Sequence, residues 1–271
     1  MSFAAGRRSS TMPASLREQA LRLLLLPDAD LKAAHTRAVD LSGTSGANQV
    51  LEEPAGIPGR PALPSLVPPA QVPRRSMATP QGRAALIHAL AHIELNAIDL
   101  ALDLCWRFGA MPDDFYRQWM RIAQEEALHF ELLRDHLRSL GFAYGDFPAH
   151  NGLWEMALKT RHDLIARVAL VPRLLEARGL DASPPIKAKL VATGDIRAGE
   201  ILDIILRDEI GHVAVGNHWY KLLCAQRALD PVDTFRELAS RYQAPRLHGP
   251  FNLDARRAAG FDETELQELG V

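Results

Sequence analysis

Cysteine, aromatic residues and clustered charge are all scarce in this chain of 271 residues. The two cysteines, Cys105 and Cys224, lie far apart without CxxC or zinc-knuckle spacing, so we expect two buried, reduced thiols. The 31 basic and 33 acidic residues nearly balance, and no basic run marks a groove for nucleic acid. This composition argues against strong non-specific binding of nucleic acid, while a specific RNA partner stays compatible with it.

Long hydrophobic runs are missing as well. The apolar stretch from Leu21 to Leu26 is interrupted by Arg22, ends at Pro27 and lacks a cleavage site, so it does not read as a signal peptide. No segment approaches the roughly 20 apolar residues of a membrane span. We therefore expect a cytoplasmic protein with no membrane partner. Apolar residues nevertheless make up 47% of the chain, which is enough for a substantial core.

The N-terminal region, residues 1–78, is predicted to be an arm wrapped on the rest of the protein. Residues 1–13 are expected to be disordered, and residues 15–40 to form one or two short helices interrupted near Pro27. Residues 41–80 are rich in proline, glycine and serine, which favours an extended, irregular path. The predicted apolar anchors of this arm are Leu63, Leu66 and Val67.

Residues 79–228 have the periodicity of four long helices, and residues 229–271 are predicted to be a C-terminal extension packed on them. Thr79 and Pro80 form a helix-start signal, and a loop of about four residues makes the first two helices antiparallel neighbours. Pro172 should kink the third helix. The predicted helices run from Pro80 to Phe108, from Asp113 to just before Gly141, from Asn151 to Gly179 before a break at Ser183-Pro184-Pro185, from Asp195 to Ala228, and from Val232 to Tyr242.

Ionisable side chains occupy core positions on all four long helices. An unpaired buried charge is very costly, whereas a pair of metal ions would neutralise carboxylates and bind neutral imidazoles. The candidate metal ligands are Glu94 on the first helix, Glu126 and His129 on the second, Glu176 on the third, and Glu209 and His212 on the fourth. Glu155 is an alternative to Glu176, which lies close to the predicted end of its helix.

Two short motifs carry most of this prediction. Glu125-Glu126-Ala127-Leu128-His129 and Asp208-Glu209-Ile210-Gly211-His212 both read acid-Glu-x-x-His, and residues three apart share a helix face. Two such motifs, with one Glu from each of two further helices, form the ligand set of a di-metal carboxylate bundle. The separations within the two helix pairs, 32 residues from Glu94 to Glu126 and 33 from Glu176 to Glu209, predict similar depths.

The acidic residue before each motif glutamate, Glu125 or Asp208, has a predicted role of its own. A histidine that binds a metal usually donates its other ring N–H to an outer carboxylate. Each of these acids is therefore a candidate to hold the histidine of the opposite helix pair. The alternatives are a solvent-exposed acid at each position and, for the whole cluster, a bundle with buried His–Glu hydrogen bonds and no metal.

With these residues, positions 80–228 resemble the ferritin-like superfamily of di-metal carboxylate proteins. The resemblance implies an all-α fold with two antiparallel helix pairs, a long crossover, and two metal ions, with iron preferred over manganese or a mixed pair. A narrower resemblance, to a mainly bacterial ferritin-like family (domain of unknown function 455), rests on four strings. These are His92-Ile93-Glu94-Leu95-Asn96-Ala97-Ile98, Gly152-Leu153-Trp154, Val171-Pro172-Arg173-Leu174-Leu175-Glu176-Ala177-Arg178-Gly179-Leu180-Asp181 and Asp208-Glu209-Ile210-Gly211-His212-Val213. The tRNA hydroxylases that act on a modified adenosine are more distantly similar.

Three functions are compatible with this reading. The first is an oxidoreductase that activates O2 or peroxide, for example to hydroxylate a small organic substrate or a nucleoside in RNA, and that takes electrons from a donor. The second is iron oxidation, storage or peroxide scavenging without an organic substrate. The arm of about 78 residues and the tail of 43 suit a monomer or dimer better than a storage cage. The third is a metal-free helical scaffold.

Overall fold

The structure is a computed structural model that describes residues 14–73 and 75–268. The predicted all-α class is confirmed, because the described part of the chain contains helices, turns and one isolated β-bridge, between Leu66 and Ala149. Residues 1–13, for which disorder is predicted, lie outside the described residues.

The α-helices are α1 (Leu16–Leu24), α2 (Ala29–Arg37), α3 (Pro80–Arg107), α4 (Asp113–Ser139), α5 (Gly152–Lys159), α6 (Leu164–Leu170), α7 (Ala177–Ala192), α8 (Ile196–Gln226), α9 (Pro231–Arg241), α10 (Leu253–Ala258) and α11 (Glu263–Gln267).

Helices α3, α4 and α8 form the frame that positions the candidate site. Thr79 caps α3 by accepting from the Gly82 N–H, and a short loop returns the chain into α4, on which α3 packs most extensively. Helix α8 packs on both α4 and α7. The bounds predicted for these three long helices are confirmed to within about two residues.

Helix α3 is long and apolar enough to cross a membrane by length and composition alone. However, 72% of its most apolar 18-residue window is buried inside the structure. It is the one such helix among residues 14–73 and 75–268. Burial of this kind is consistent with the central helix of a soluble protein.

The prediction for the third helix is wrong in its bounds. A non-helical turn at residues 160–163 separates α5 from α6, and α6 continues through a π-helical segment, Val171–Glu176, into α7. The kink predicted at Pro172 stays a prediction, and Pro172 lies in this π-helical segment, as suits a residue that lacks a backbone donor. The predicted stop at Gly179 and the break at Pro184-Pro185 are absent, since α7 runs on to Ala192.

A tertiary contact compensates for the first of the two prolines inside α7. Pro184 has no N–H to donate to the carbonyl of Leu180, which in an α-helix would leave that oxygen without a partner. In the fold, the side-chain amide of Asn252 donates to the Leu180 carbonyl across 3.2 Å. Asn252 precedes α10, so a residue distant in sequence supplies the missing donor.

The irregular arm after α2 follows the predicted path, but two of its three predicted anchors are wrong, because Leu63 and Leu66 are 59% and 42% exposed. Leu51 and Ile57 of the arm pack against the core instead. Backbone hydrogen bonds also hold the arm, from Val67 N–H to the Ala149 carbonyl (2.8 Å) and from Gly59 N–H to the Leu24 carbonyl (2.8 Å). The arm and the connection between α4 and α5 therefore contact each other through main-chain groups.

Buried ion pairs join the peripheral helices to α3. Lys32 on α2 pairs with Asp99, and Arg167 on α6 pairs with Asp103, with all four side chains nearly inaccessible to solvent. Both carboxylates lie on the same face of α3, four residues apart. Cys105 and Cys224 are buried free thiols, as predicted.

Candidate metal centre

Four buried side chains from three helices converge in the interior. Glu94 on α3, Glu126 and His129 on α4, and Glu209 on α8 each offer one ligand atom, and these atoms all lie within 4.8 Å of one another. Each residue is at most 6% exposed. The group could hold a metal ion, since carboxylate oxygen and imidazole nitrogen are common ligands of transition metals.

Glu126 lies between the two histidines of the predicted motifs. Its Oε2 is 3.3 Å from Nδ1 of His129, and its Oε1 is 2.8 Å from Nδ1 of His212. Nδ1 of His129 is also 3.4 Å from Oε2 of Glu94. The two imidazole rings are 5.8 Å apart between centroids, so one carboxylate spans the gap between them.

The outer nitrogens of both histidines face acidic residues of the opposite helix. Nε2 of His129 on α4 lies 3.1 Å from Asp208 on α8, and Nε2 of His212 on α8 lies 2.8 Å from Glu125 on α4. On α4, His129 follows Glu125 by four residues, whereas on α8 their partners run the other way, since Asp208 precedes His212 by four residues. The two helices are therefore antiparallel, and the two acid–histidine contacts are reciprocal.

Glu176 lies at the end of the π-helical segment, beside the central cluster. The residue is half-buried, but its Oε2 is shielded from solvent and has no hydrogen-bond partner among the described residues. It falls outside the tightest group of four ligand atoms. Glu155, the alternative considered from the sequence, is exposed on α5, and this orientation argues against a place in the cluster.

Several buried polar atoms of the cluster have no hydrogen-bond partner among the described residues. Such orphans are rare in folded proteins, because each carries a desolvation penalty. Nδ1 of His212 and Oε1 of Glu126 lie 2.8 Å apart but lack hydrogen-bond geometry. This arrangement is expected for two ligand atoms that both face one metal ion. The orphaned atoms are Oε2 of Glu94, Oε1 of Glu126, Oε2 of Glu176, Oε2 of Glu209 and Nδ1 of His212. This donor set fits transition-metal ions.

Burial and mutual repulsion shape the carboxylate pKa values. Burial raises the pKa of Glu94 to about 7, and burial together with the charge of Glu126 raises that of Glu176 to about 8. The pKa of Glu209 is also raised, chiefly by burial and by Glu126. Glu126 behaves in the opposite way, because contact with both histidines overcomes burial and lowers its pKa.

The imidazoles respond to their acidic surroundings. Burial alone would lower the pKa of His129, but its contacts with Asp208, Glu126 and Glu94 raise it well above the usual value. The pKa of His212 is raised against burial by Glu126 and Glu125. Without a metal ion, the cluster therefore retains protons at neutral pH, and bound cations would displace them.

A cavity of about 270 Å³ opens beside the carboxylates. Its walls are largely aliphatic and come from α3, α7, α8 and the start of α5, while Glu94, Glu176 and Glu209 contribute carboxylates to the lining. Sequence reasoning missed two polar residues of this lining, Arg178 and His150. Neither lies on a predicted core seam, and no local pattern marks them.

The six predicted ligands and two outer acids thus occupy one region of the structure, and their individual roles in metal binding stay predictions. Fold and site define an all-helical protein with a buried Glu/His cluster that could hold a metal ion.

The chain belongs to the family described as "Protein of unknown function (DUF455)", whose profile matches residues 25–267. It is 53% identical over 213 residues to an "Uncharacterized protein" of Haemophilus influenzae, with 76% of this chain and 74% of that relative covered. None of the solved structures matches the chain significantly.

Proposed function

We propose that this protein is a ferritin-like di-iron oxidoreductase that activates O2 or peroxide. The observation that carries the proposal is the buried cluster in which Glu126 lies between two histidines, each contacted on its outer side by an acid from the opposite helix. A metal-free bundle would leave five polar atoms of this cluster without partners. That cost favours a metal centre over the scaffold alternative.

Six side chains would hold the ions. The carboxylate oxygens would come from Glu94, Glu126, Glu176 and Glu209. His129 would supply an imidazole nitrogen to one metal ion, and His212 would supply one to the other. When bound, two redox-active ions supply the electrons needed to reduce O2 or peroxide. Manganese or a mixed pair would satisfy the same donor set.

The surrounding residues orient these ligands and protect the site. Asp208 and Glu125 accept hydrogen bonds from the Nε2–H groups of His129 and His212, which selects the tautomer whose Nδ1 is free to bind. Glu126 and His129 are inaccessible to solvent, so the chain itself keeps bulk water from this part of the site. The adjoining cavity provides room for a small organic substrate. Electrons would come from a separate donor.

The ferritin-like architecture belongs to the same proposal. Antiparallel α4 and α8, the α3–α4 hairpin and the tight turn between α7 and α8 support two antiparallel helix pairs. The connection from α4 to α6, residues 140–163, contains α5 and would form the crossover. The division into residues 1–78, 79–228 and 229–271 stays a prediction.

Metal analysis tests the proposal directly. Protein purified without chelator should contain, or take up from Fe(II) under anaerobic conditions, about two metal ions per chain. Exposure to O2 should then produce an absorption change typical of oxidised iron bound by carboxylates. Protein that binds less than about one ion per chain after Fe(II) addition would refute the metal centre.

Native mass measurement separates this enzyme from the iron-storage alternative. A monomer or dimer is expected for the oxidoreductase. A large closed shell that accumulates iron far beyond two ions per chain would instead support storage.

A further inference from the structure

We propose that the cavity beside the carboxylate cluster binds a medium-chain aliphatic acid, with its charged head at Arg178 and its hydrocarbon tail directed to the cluster. This inference rests on the proposed function, because it names the substrate class of that centre. It is drawn from the walls of the cavity, the single cation on its lining and the burial of the carboxylates at its inner end.

The walls and the candidate ligands lie on the same helix faces. On α3 the lining residues Leu90, Ile93 and Ala97 follow the spacing of one face, and Glu94 belongs to that face. On α8, Leu202 and Ile205 are followed by Glu209 at similar spacing. A molecule between these helices therefore touches aliphatic side chains along its length and reaches carboxylates at one end.

The π-helical segment and α7 close the opposite wall with small and aliphatic residues. Leu175 of that segment and Gly179, Ala182 and Ile186 of α7 recur at intervals of four and three residues and all line the cavity. Gly179 lies against the cluster, since a Cβ atom built there would be 4.0 Å from the carboxyl carbon of Glu209. The absence of a side chain at Gly179 leaves space between the cavity and that carboxylate.

The only cation on the cavity lining is exposed and has no ion-pair partner among the described residues. Arg178 lies next to Gly179 on α7, and none of the salt bridges within residues 14–73 and 75–268 includes it. His150 adds a second donor, because its Nδ1 accepts from the Gly152 N–H, which places the proton of a neutral ring on Nε2. The paired N–H groups of an arginine guanidinium and the N–H of an imidazole can all donate hydrogen bonds to the oxygens of one carboxylate.

The position of Arg178 dictates the orientation of the ligand. Arg178 is exposed, whereas Glu94 and Glu209 are buried at the inner end of the cavity, so a head group paired with Arg178 stays at the outer rim and the tail points to the cluster. The volume of about 270 Å³ equals that of roughly nine liquid waters. Octanoate, with a linear tail and one carboxylate, has about that number of non-hydrogen atoms.

Calorimetric titration of the metal-loaded protein with octanoate tests the inference. Affinity should rise roughly fourfold for each methylene from butanoate to octanoate, since each buried CH2 contributes about 0.8 kcal/mol. Octanol should bind more weakly than octanoate. Tighter binding of adenosine than of octanoate, or affinity independent of chain length, would overturn the proposal.

Two variants with a matched control locate the ligand. Ala182→Phe should fill the cavity and abolish octanoate binding, whereas Ala188→Phe, on an exposed part of α7 away from this cavity, should bind like the parent protein. Arg178→Gln should weaken octanoate roughly tenfold and leave octanol unchanged. Equal octanoate affinity in Arg178→Gln and the parent protein would refute the role of that arginine.

Metal content and melting temperature, measured on the same samples, separate the two proposals. Intact metal stoichiometry with no octanoate binding would overturn the substrate assignment and leave the metal centre standing. Octanoate binding that follows the predicted pattern in a protein that takes up no metal would support the cavity assignment and refute the proposed function.

Discussion

Replacement of Glu126 by alanine should eliminate the stabilisation that metal ions give to this fold. Glu126 is fully buried and lies between Nδ1 of His129 and Nδ1 of His212. Its removal takes away the carboxylate common to both halves of the cluster. We expect Glu126→Ala to retain the helical fold in chelator and to bind no metal pair.

The size of the effect follows from binding linkage. An ion that binds only the folded state stabilises it by about 2.7 kcal/mol when its free concentration is one hundred times the Kd, so two ions contribute roughly 5 kcal/mol. For chains of this size, 1 kcal/mol shifts the melting temperature by roughly 2–4 °C. Metal addition should therefore raise the melting temperature of the parent protein by about 10–20 °C.

The assay is differential scanning calorimetry with chelator and with added Fe(II) under anaerobic conditions, together with elemental analysis. The readout is the increment produced by metal within each variant, so any loss of intrinsic stability cancels. Glu155→Ala is the matched control, because Glu155 is an exposed acid on α5. The reasoning fails if Glu126→Ala shows the parental increment and the parental metal content.

Three further predictions test other parts of the structure. Glu125→Ala and Asp208→Ala, which remove the outer contacts of His212 and His129, should each weaken metal affinity about 10- to 100-fold in a competition titration, and parental affinity would contradict the orienting role. In metal-free protein, burial raises the pKa of Glu94 to about 7 and of Glu176 to about 8, above the ordinary 4.5. The fold then binds more protons than the unfolded chain, so its melting temperature should fall between about pH 5.5 and 8.5, and a rise would refute this. Lys32→Ala should lower the free energy of unfolding in urea by about 3–5 kcal/mol by leaving the Asp99 carboxylate buried without its ion-pair partner, whereas a change below about 1 kcal/mol would show that the pair is dispensable.

Much of the candidate site could be predicted because its signals are local. The acid-Glu-x-x-His motifs depend on residues three apart sharing a helix face, and that relation holds in any α-helix. The bounds of α3, α4 and α8 follow similarly from caps, core periodicity and a short loop. The reciprocal contacts of Glu125 and Asp208 fit the same reading, because equal steps on antiparallel helices bring them opposite the histidines.

The region predicted as the third long helix shows where local sequence signals fail. Pro184 and Pro185 are strong helix breakers in sequence, yet α7 continues through them, and Asn252 from the C-terminal region supplies the donor that Pro184 cannot give to the Leu180 carbonyl. Leu63 and Leu66 look like anchors, yet both side chains are exposed, and the arm is held by Ile57 on the core and by main-chain hydrogen bonds. In each case the deciding partner lies far away in the chain.

The sequence by itself determined the helical class, the three long helices of the frame and the residues that face inward, since all of these follow from the repeat of a single helix. Only the tertiary structure decided that Glu126 lies between two histidines, that Gly179 leaves space beside Glu209, and that Arg178, which has no ion-pair partner in the described part of the chain, lines the adjoining cavity. These relations depend on how helices are rotated and spaced against one another. That arrangement results from the packing of the whole core, which no short segment of the chain encodes.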